Sequence, residues 1–224
     1  ASHPAVRGIS LSISPGETVG IFGLTGCGKT TLLNIIARVY DPPPGTVFVG
    51  GTDILDVQPA SLWRRLAYVT QRPFLFSEPI RANILLGSGD SGEGLGRAID
   101  DAALTSDLDA FPSGIDTVIG ERGITLSGGQ RQRVALARAF YRDFDLLLLD
   151  DVLSAVDHAT ETRLIEAIYR RLEAREGTRS TALIVSHRVS VLAQADRVLV
   201  LDGGRIVDEG HHDQLITRDS GVYR

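Results

Sequence analysis

Residues Gly23-Leu24-Thr25-Gly26-Cys27-Gly28-Lys29-Thr30 fit the pattern G-x-x-x-x-G-K-[ST], and they constrain the chain more than any other stretch. Ahead of them, Val19-Gly20-Ile21-Phe22 is a short apolar run bounded by turn residues, which reads as a buried strand. Behind them, from Thr30 and Thr31 to Tyr40, the apolar residues Leu32, Leu33, Ile35, Ile36 and Val39 fall at helical spacing. A glycine loop between strand and helix is the setting in which this pattern binds phosphate. Glycines let backbone amides approach an anion with no Cβ in the way. The helix that follows turns its positive end toward the same anion. Lys29 can reach the β- and γ-phosphates of a nucleoside triphosphate, and the Thr30 hydroxyl can coordinate Mg²⁺. An ordinary glycine turn would not need this strand-loop-helix context.

A second glycine-rich loop, Leu126-Ser127-Gly128-Gly129-Gln130, precedes a helical stretch and then the apolar run Leu146-Leu147-Leu148-Leu149. That run reads as a central parallel strand buried on both faces. Asp150 closes it, at the strand end where ligands bind in open α/β sheets. Asp150 is therefore the Walker-B candidate for Mg²⁺, through water. A lone aspartate after a strand can also cap a helix, so this assignment leans on the phosphate loop.

Taken together these residues resemble the nucleotide-binding domain of ABC transporters, over nearly the whole chain. Leu126 to Gln130 matches the family signature, Gln71 the Q-loop glutamine, Ser154-Ala155-Val156-Asp157 the D-loop and His187 the switch histidine. Ile119-Gly120-Glu121-Arg122-Gly123 is similar to the exporter-type X-loop, and Phe74 to Ile84 to the exporter segment after the Q-loop. The resemblance implies an α/β fold: a P-loop NTPase (RecA-like) core with a mostly parallel sheet, an antiparallel β-subdomain, and an inserted α-helical subdomain at about 72–142 carrying the signature. It implies ATP and Mg²⁺ as ligands. It also implies a second nucleotide-binding domain packed head to tail, so that Ser127, Gly128, Gly129 and Gln130 face the γ-phosphate held by the partner. Gln71 would sense Mg²⁺ or the attacking water, His187 would contact the γ-phosphate, and the Q-loop and X-loop regions would meet transmembrane domains. The implied location is the cytoplasmic face of the cell (inner) membrane, with the isolated domain soluble.

Two departures qualify the resemblance. The residue after Asp150 is Asp151, where hydrolytic sites of the family carry glutamate. Aspartate keeps the charge but is one methylene shorter, and a misplacement of about 1 Å can cost around a hundredfold in rate. Asp151 thus resembles the weak site of an asymmetric heterodimer; the rival reading is a neutral substitution in a competent homodimer. The second departure is the start of the chain, which falls beyond the place where the family stacks an aromatic on adenine. His3 could stand in for it or be a solvated terminal residue, and the chain reads as a domain, 1–224, cut from a longer polypeptide.

The 224 residues suffice for one large α/β domain. A net charge of -5 argues against a nucleic-acid binder. No apolar run approaches the roughly 20 residues of a membrane span. The one cysteine, Cys27, excludes an internal disulfide and suits a reducing compartment. Its place beside Lys29 and a helix N-terminus favours thiolate; its simpler reading is a space-filler. Ile9 to Ile13 alternates and predicts an edge strand. Thr46 to Val49, Ala67 to Thr70, Thr181 to Val185 and Arg197 to Leu201 predict further strands, with a hairpin turn at Asp202-Gly203-Gly204. His211-His212 predicts a helix cap and not a metal pair. Glu161, Arg163, Glu166, Arg170 and Arg171 predict a solvated helix face. A soluble ABC-type ATPase of DNA maintenance stays the third function class, but the long coiled-coil insertions it needs have no room here.

Overall fold

The computed structural model describes residues 4–89, 91–120, 124–154, 156–173, 178–218 and 223. In chain order its elements are β1 (Thr18–Gly23), α1 (Lys29–Ile36), β2 (Phe48–Val49), β3 (Thr52–Asp53), α2 (Pro59–Arg64), β4 (Leu66–Val69), α3 (Ile80–Leu85), α4 (Glu93–Asp101) and α5 (Thr105–Ala110). A 3₁₀ turn (Gly114–Asp116) follows, then α6 (Gly128–Tyr141), β5 (Leu146–Asp150), α7 (His158–Leu172), β6 (Thr181–Val185), α8 (Val189–Leu192), β7 (Arg197–Asp202), β8 (Arg205–Gly210) and α9 (His212–Leu215). The chain divides into two compact units, residues 1–68, 144–151 and 177–224 in the first and 69–143 and 152–176 in the second.

The first unit is built on a six-stranded sheet of order β4-β5-β6-β1-β7-β8. β1 pairs in parallel with both β6 and β7, and β5 in parallel with β6. Parallel neighbours need crossovers, so both faces of the sheet are covered and its strands read as unbroken apolar runs. Val19, Ile21, Leu33, Leu148, Leu183 and Leu199 form the core on one face, and Val198, Val200, Leu192, Leu215 and Tyr223 a cluster on the other. β8 returns antiparallel to β7, and β2 with β3 makes a separate antiparallel hairpin. The architecture is the α/β fold, mostly parallel with an antiparallel addition, that the sequence implies.

Three local expectations are corrected. Ile9 to Ile13 forms no strand. Ile9, Leu11 and Ile13 do pack alternately against the core, so the pattern reports burial without a ladder partner. The first helix stops at Ile36, short of Tyr40, because Arg38 turns left-handed at φ 52. Its guanidinium then donates to Asp41 at 3.0 Å, to the Ile54 carbonyl at 2.8 Å and to the Val57 carbonyl. The solvated face of α7 holds at Arg163, Glu166 and Arg170, which are exposed, but it also carries ion pairs and fails at Glu161. Glu161 is buried, Arg163 pairs with Asp100, and Arg170 and Arg171 both pair with Asp101 at the end of α4.

In the second unit α3 and α4 pack on α6, whose Val134, Leu136, Ala137 and Phe140 are buried. Asp157 caps α7 by accepting the Thr160 N–H at 3.0 Å and the Thr160 hydroxyl at 2.6 Å. These two bonds hold its carboxyl below the usual carboxylate range. His211 is the residue ahead of α9, its N–H given to the Gln214 side chain at 3.3 Å. No group of three metal-binding side chains occurs among the described residues.

Candidate functional site

β1 ends at Gly23, and the chain wraps through Leu24, Thr25 and Gly26, all exposed or at the loop tip, before Gly28 opens α1. Gly28 has φ 106, and a Cβ there would stand 2.5 Å from the Ala5 carbonyl oxygen, so only glycine fits. The loop closes around Lys29, which is 7% exposed. Its ammonium donates to the carbonyls of Gly23 at 2.7 Å and Leu24 at 2.9 Å, with Cys27 Sγ at 3.7 Å. Cys27 itself is 6% exposed and belongs to the core cluster, which supports the space-filler reading.

Thr30 begins the exposed side of α1, Thr31 is half-buried beside it, and the Thr30 hydroxyl donates to Asp150 Oδ2 at 2.8 Å. Asp150 is 2% exposed at the end of β5, in register with Val185 of β6. Burial pushes its carboxyl above the usual range, and the neighbouring Asp151 adds to this. The Thr30 hydroxyl, Lys29 and His187 pull the other way. Tyr68, on β4, donates to Asn34 Oδ1 at 3.0 Å. Burial, with the charge of Asp150, drives its phenol well above the ordinary range, so it is a neutral wall of the site. Sequence reasoning missed this tyrosine, because nothing in its neighbourhood along the chain distinguishes it from a core residue.

A buried carboxylate touching an exposed threonine hydroxyl fits a hard divalent cation that takes few protein ligands and completes its shell with water and phosphate oxygens. Thr30 and Asp150 are the groups in this unit that would hold Mg²⁺. Because the folded state disfavours the charged carboxylate, Asp150 contributes stability that is present below the unfolded value of 3.8 and lost as pH rises through the raised folded value. At neutral pH the ionised carboxylate is a net cost to the metal-free fold. Asp150→Asn is therefore expected to raise the melting temperature without metal and to abolish the Mg²⁺ dependence of nucleotide binding. Calorimetric scans and titrations check both, and a lowered melting temperature would contradict the burial argument.

Asp151 follows at φ 51, a left-handed conformation uncommon outside glycine that aspartate tolerates better than most residues. Its N–H donates to the Val185 carbonyl at 3.0 Å and its side chain is 7% exposed. Val185 leads into Ser186, whose N–H donates to the Ile21 carbonyl at 3.2 Å and whose hydroxyl accepts the Arg188 N–H at 2.9 Å. These bonds present the exposed His187 at the same strand ends. The first unit thus gathers Gly23 to Thr31, Asp150, Asp151 and His187.

The second unit carries Gln71 and the signature. Gln71 is exposed, and its carbonyl accepts from Gln132 Nε2 of α6 at 3.3 Å. Ser127 caps α6: its hydroxyl accepts the Gln130 N–H at 3.2 Å, and Gln130 Oε1 accepts the Ser127 N–H at 2.8 Å. S-x-x-Q is the sequence form of such a capping box, a signal the sequence reading did not use. Gln130 Nε2 goes on to Asp107 Oδ1 at 3.0 Å, so its side chain shapes the loop from within. Ser127 and Gly128 are exposed at the helix start and Gly129 is buried behind them. In the segment after Gln71, Asn83 is fully buried and ties down the Phe76 N–H and carbonyl. Arg138 of α6 donates to the carbonyls of Asn83 at 2.8 Å and Phe74 at 3.1 Å. That frame holds Phe74 and Phe76 edge to face at 5.0 Å while both stay exposed. Of the X-loop, Gly120 N–H donates to the Ile124 carbonyl at 3.2 Å, and Ile119 N–H to the Glu78 carbonyl at 3.3 Å. Glu121, Arg122 and Gly123 lie outside the described residues, as do Ala155 of the D-loop and His3.

A glycine loop between β1 and α1, with adjoining carboxylates at the end of a central parallel strand, defines the P-loop class of nucleoside-triphosphate-binding proteins. The chain belongs to the ABC transporter family, whose model matches residues 6–154. It is an exporter-type ATP-binding domain. It is 40% identical over 223 residues to an ATP-dependent lipid A-core flippase of Burkholderia orbicola (strain AU 1054), covering 100% of this chain and 37% of the flippase. Against the protein of the same name from Syntrophus aciditrophicus (strain SB) it is 41% identical over 225 residues, covering 99% and 36%. A solved bacterial Atm1-family ABC exporter with ATP bound superposes with a TM-score of 0.87 at 37% identity, over 98% of this chain and 38% of that one. The chain spans little more than a third of the length of these relatives. No described helix is long and apolar enough to cross a membrane.

Proposed function

We propose that the chain is the ATPase domain of an exporter in which it forms the weaker of two nucleotide sites. Backbone amides of Gly26 and Gly28, with the Lys29 ammonium, hold the β- and γ-phosphates, while Thr30 and Asp150 hold Mg²⁺. Gln71 and His187 complete the site around the attacking water and the γ-phosphate. A second nucleotide-binding domain packs head to tail, so that Ser127 and the amides of Gly128 and Gly129 act on the ATP bound by that partner. The Ser127 hydroxyl accepts one bond within its own loop and keeps its proton to donate. Closure of the pair is passed to transmembrane domains through the exposed Phe74–Phe76 edge and the Ile119–Gly120 segment, at the cytoplasmic face of the cell membrane.

The observation that carries the weak-site reading is the anchoring of Asp151. Its N–H is bonded to Val185 and the residue before it is locked in the β5–β6 register. The backbone cannot advance to recover the missing methylene, so the carboxylate stops short of where a glutamate would polarise water. Ser127→Ala tests the head-to-tail arrangement. It is expected to leave the affinity of the isolated chain for MgATP within about twofold, and to slow hydrolysis by the assembled transporter by about tenfold, the loss of one charge-assisted hydrogen bond. If the mutant chain loses its own ATP affinity, the signature serves its own site and the arrangement is wrong.

A further inference from the structure

We infer that Gly204 is a positioning residue for nucleotide binding, which clamps the phosphate loop to the N-terminal segment through backbone contacts alone. Gly203 and Gly204 are the two turn residues between β7 and β8, at φ 51 and 78, the left-handed pair of a tight hairpin. The Gly204 N–H donates to the Cys27 carbonyl at 3.0 Å, and the Gly204 carbonyl accepts the Arg7 N–H at 2.8 Å. Residues 5–7, 27–28 and 203–204 thus meet mainly through main-chain atoms, with Val6 Cγ1 2.9 Å from where a Cβ on Gly28 would stand. A Cβ on Gly204 would fall 2.6 Å from the Ala5 oxygen, 3.2 Å from its carbonyl carbon and 3.3 Å from Val6 Cα. A Cβ on Gly28 would strike the same Ala5 oxygen at 2.5 Å.

The consequence follows from peptide planarity. Cys27 C=O and Gly28 N–H belong to one rigid trans unit and point in opposite directions. Holding the Cys27 oxygen on the Gly204 N–H therefore fixes Gly28 N–H pointing away from the hairpin. This rests on the phosphate-loop reading above, in which Gly28 N–H is one of the amides that meets the anion. If Ala5 is pushed off Gly204, the turn must move, the Cys27–Gly28 plane rotates with it, and that amide loses its aim.

Gly203 supplies an internal control. It has the same left-handed conformation, but a Cβ there meets nothing within 4 Å. Gly203→Ala and Gly204→Ala carry comparable backbone strain, and only the second carries the clash. Melting temperatures and MgATP titrations are measured on the 224-residue chain. Gly204→Ala is expected to bind MgATP about tenfold more weakly than Gly203→Ala, on the scale of one lost charge-assisted hydrogen bond, at a similar melting temperature. Equal affinities in the two variants overturn the clamp. Should Gly204→Ala fail to fold, the same substitution is placed in a chain lacking residues 1–6, where the clash partner is gone. There it is expected to bind as the truncated chain alone does, and a further tenfold loss in that background overturns the proposal. Lys29→Ala, run alongside, tests the phosphate-loop reading itself. No loss there sinks that reading, whereas loss there with equal glycine variants sinks only the clamp.

Discussion

Lys29→Ala is expected to weaken MgATP binding by about a hundredfold, the loss of two charge-assisted hydrogen bonds at ~1.5 kcal/mol each. The fold should survive. Lys29 belongs to no strand, and its ammonium donates to the carbonyls of Gly23, the last residue of β1, and of Leu24. On binding, the ammonium exchanges neutral carbonyl acceptors for ionised phosphate oxygens, which take shorter and stronger bonds. Alanine removes that exchange, leaving the exposed Leu24 carbonyl to water and the buried Gly23 carbonyl without its ammonium donor. Calorimetric titration with circular dichroism on both proteins checks this, with a melting temperature within a few degrees of wild type. Unchanged affinity would remove the nucleotide from this loop.

Asp151→Glu is expected to raise ATP turnover by about a hundredfold in an assembly where an intact signature faces this site, the scale set by a reacting group misplaced by about 1 Å. It should leave ATP affinity unchanged, because the carboxylate acts on the attacking water and makes no ground-state contact with the nucleotide. N–H to Val185 holds the Cα in place, so the added methylene extends the reach of the carboxylate, at some cost in backbone strain because glutamate tolerates φ 51 less well than aspartate. Phosphate release from both proteins is measured at concentrations where dimers form. A wild-type rate typical of a competent ATPase, with no gain in the variant, would favour a homodimeric enzyme over the weak-site half.

What was legible in the sequence is what is encoded locally. The glycine loop, the four-leucine strand and the signature each carry their pattern within a few residues, and their context follows from buried parallel strands. The β7–β8 turn and the His211 cap were legible for the same reason. Legibility failed where a distant partner decides. Ile9, Leu11 and Ile13 alternate as a strand would, yet no neighbouring strand offers them a ladder. Arg163 and Arg170 are exposed as their spacing predicts, but only the fold reveals that α4 ends in Asp100 and Asp101, which pair with them and with Arg171. Gln130 reads as a ligand-facing signature residue, while its side chain is committed to Ser127 and Asp107. The meeting of Gly204, Cys27 and Ala5 involves main-chain atoms from three distant stretches, for which side-chain patterns hold no signal.

The frame of Arg138 and Asn83 makes α6 a rigid lever. Arg138 grips the Phe74–Asn83 segment near one end of the helix, and Ser127 sits at the other. At 1.5 Å per residue the arm between them is about 16 Å long. A tilt of about 5° imposed at the aromatic edge therefore swings the Ser127 hydroxyl by roughly 1.4 Å, more than the ~1 Å error that separates a productive contact from a lost one. In the head-to-tail pair proposed above, small rotations at one end of the helix would become on-off engagement at the other, a digital output from an analogue input.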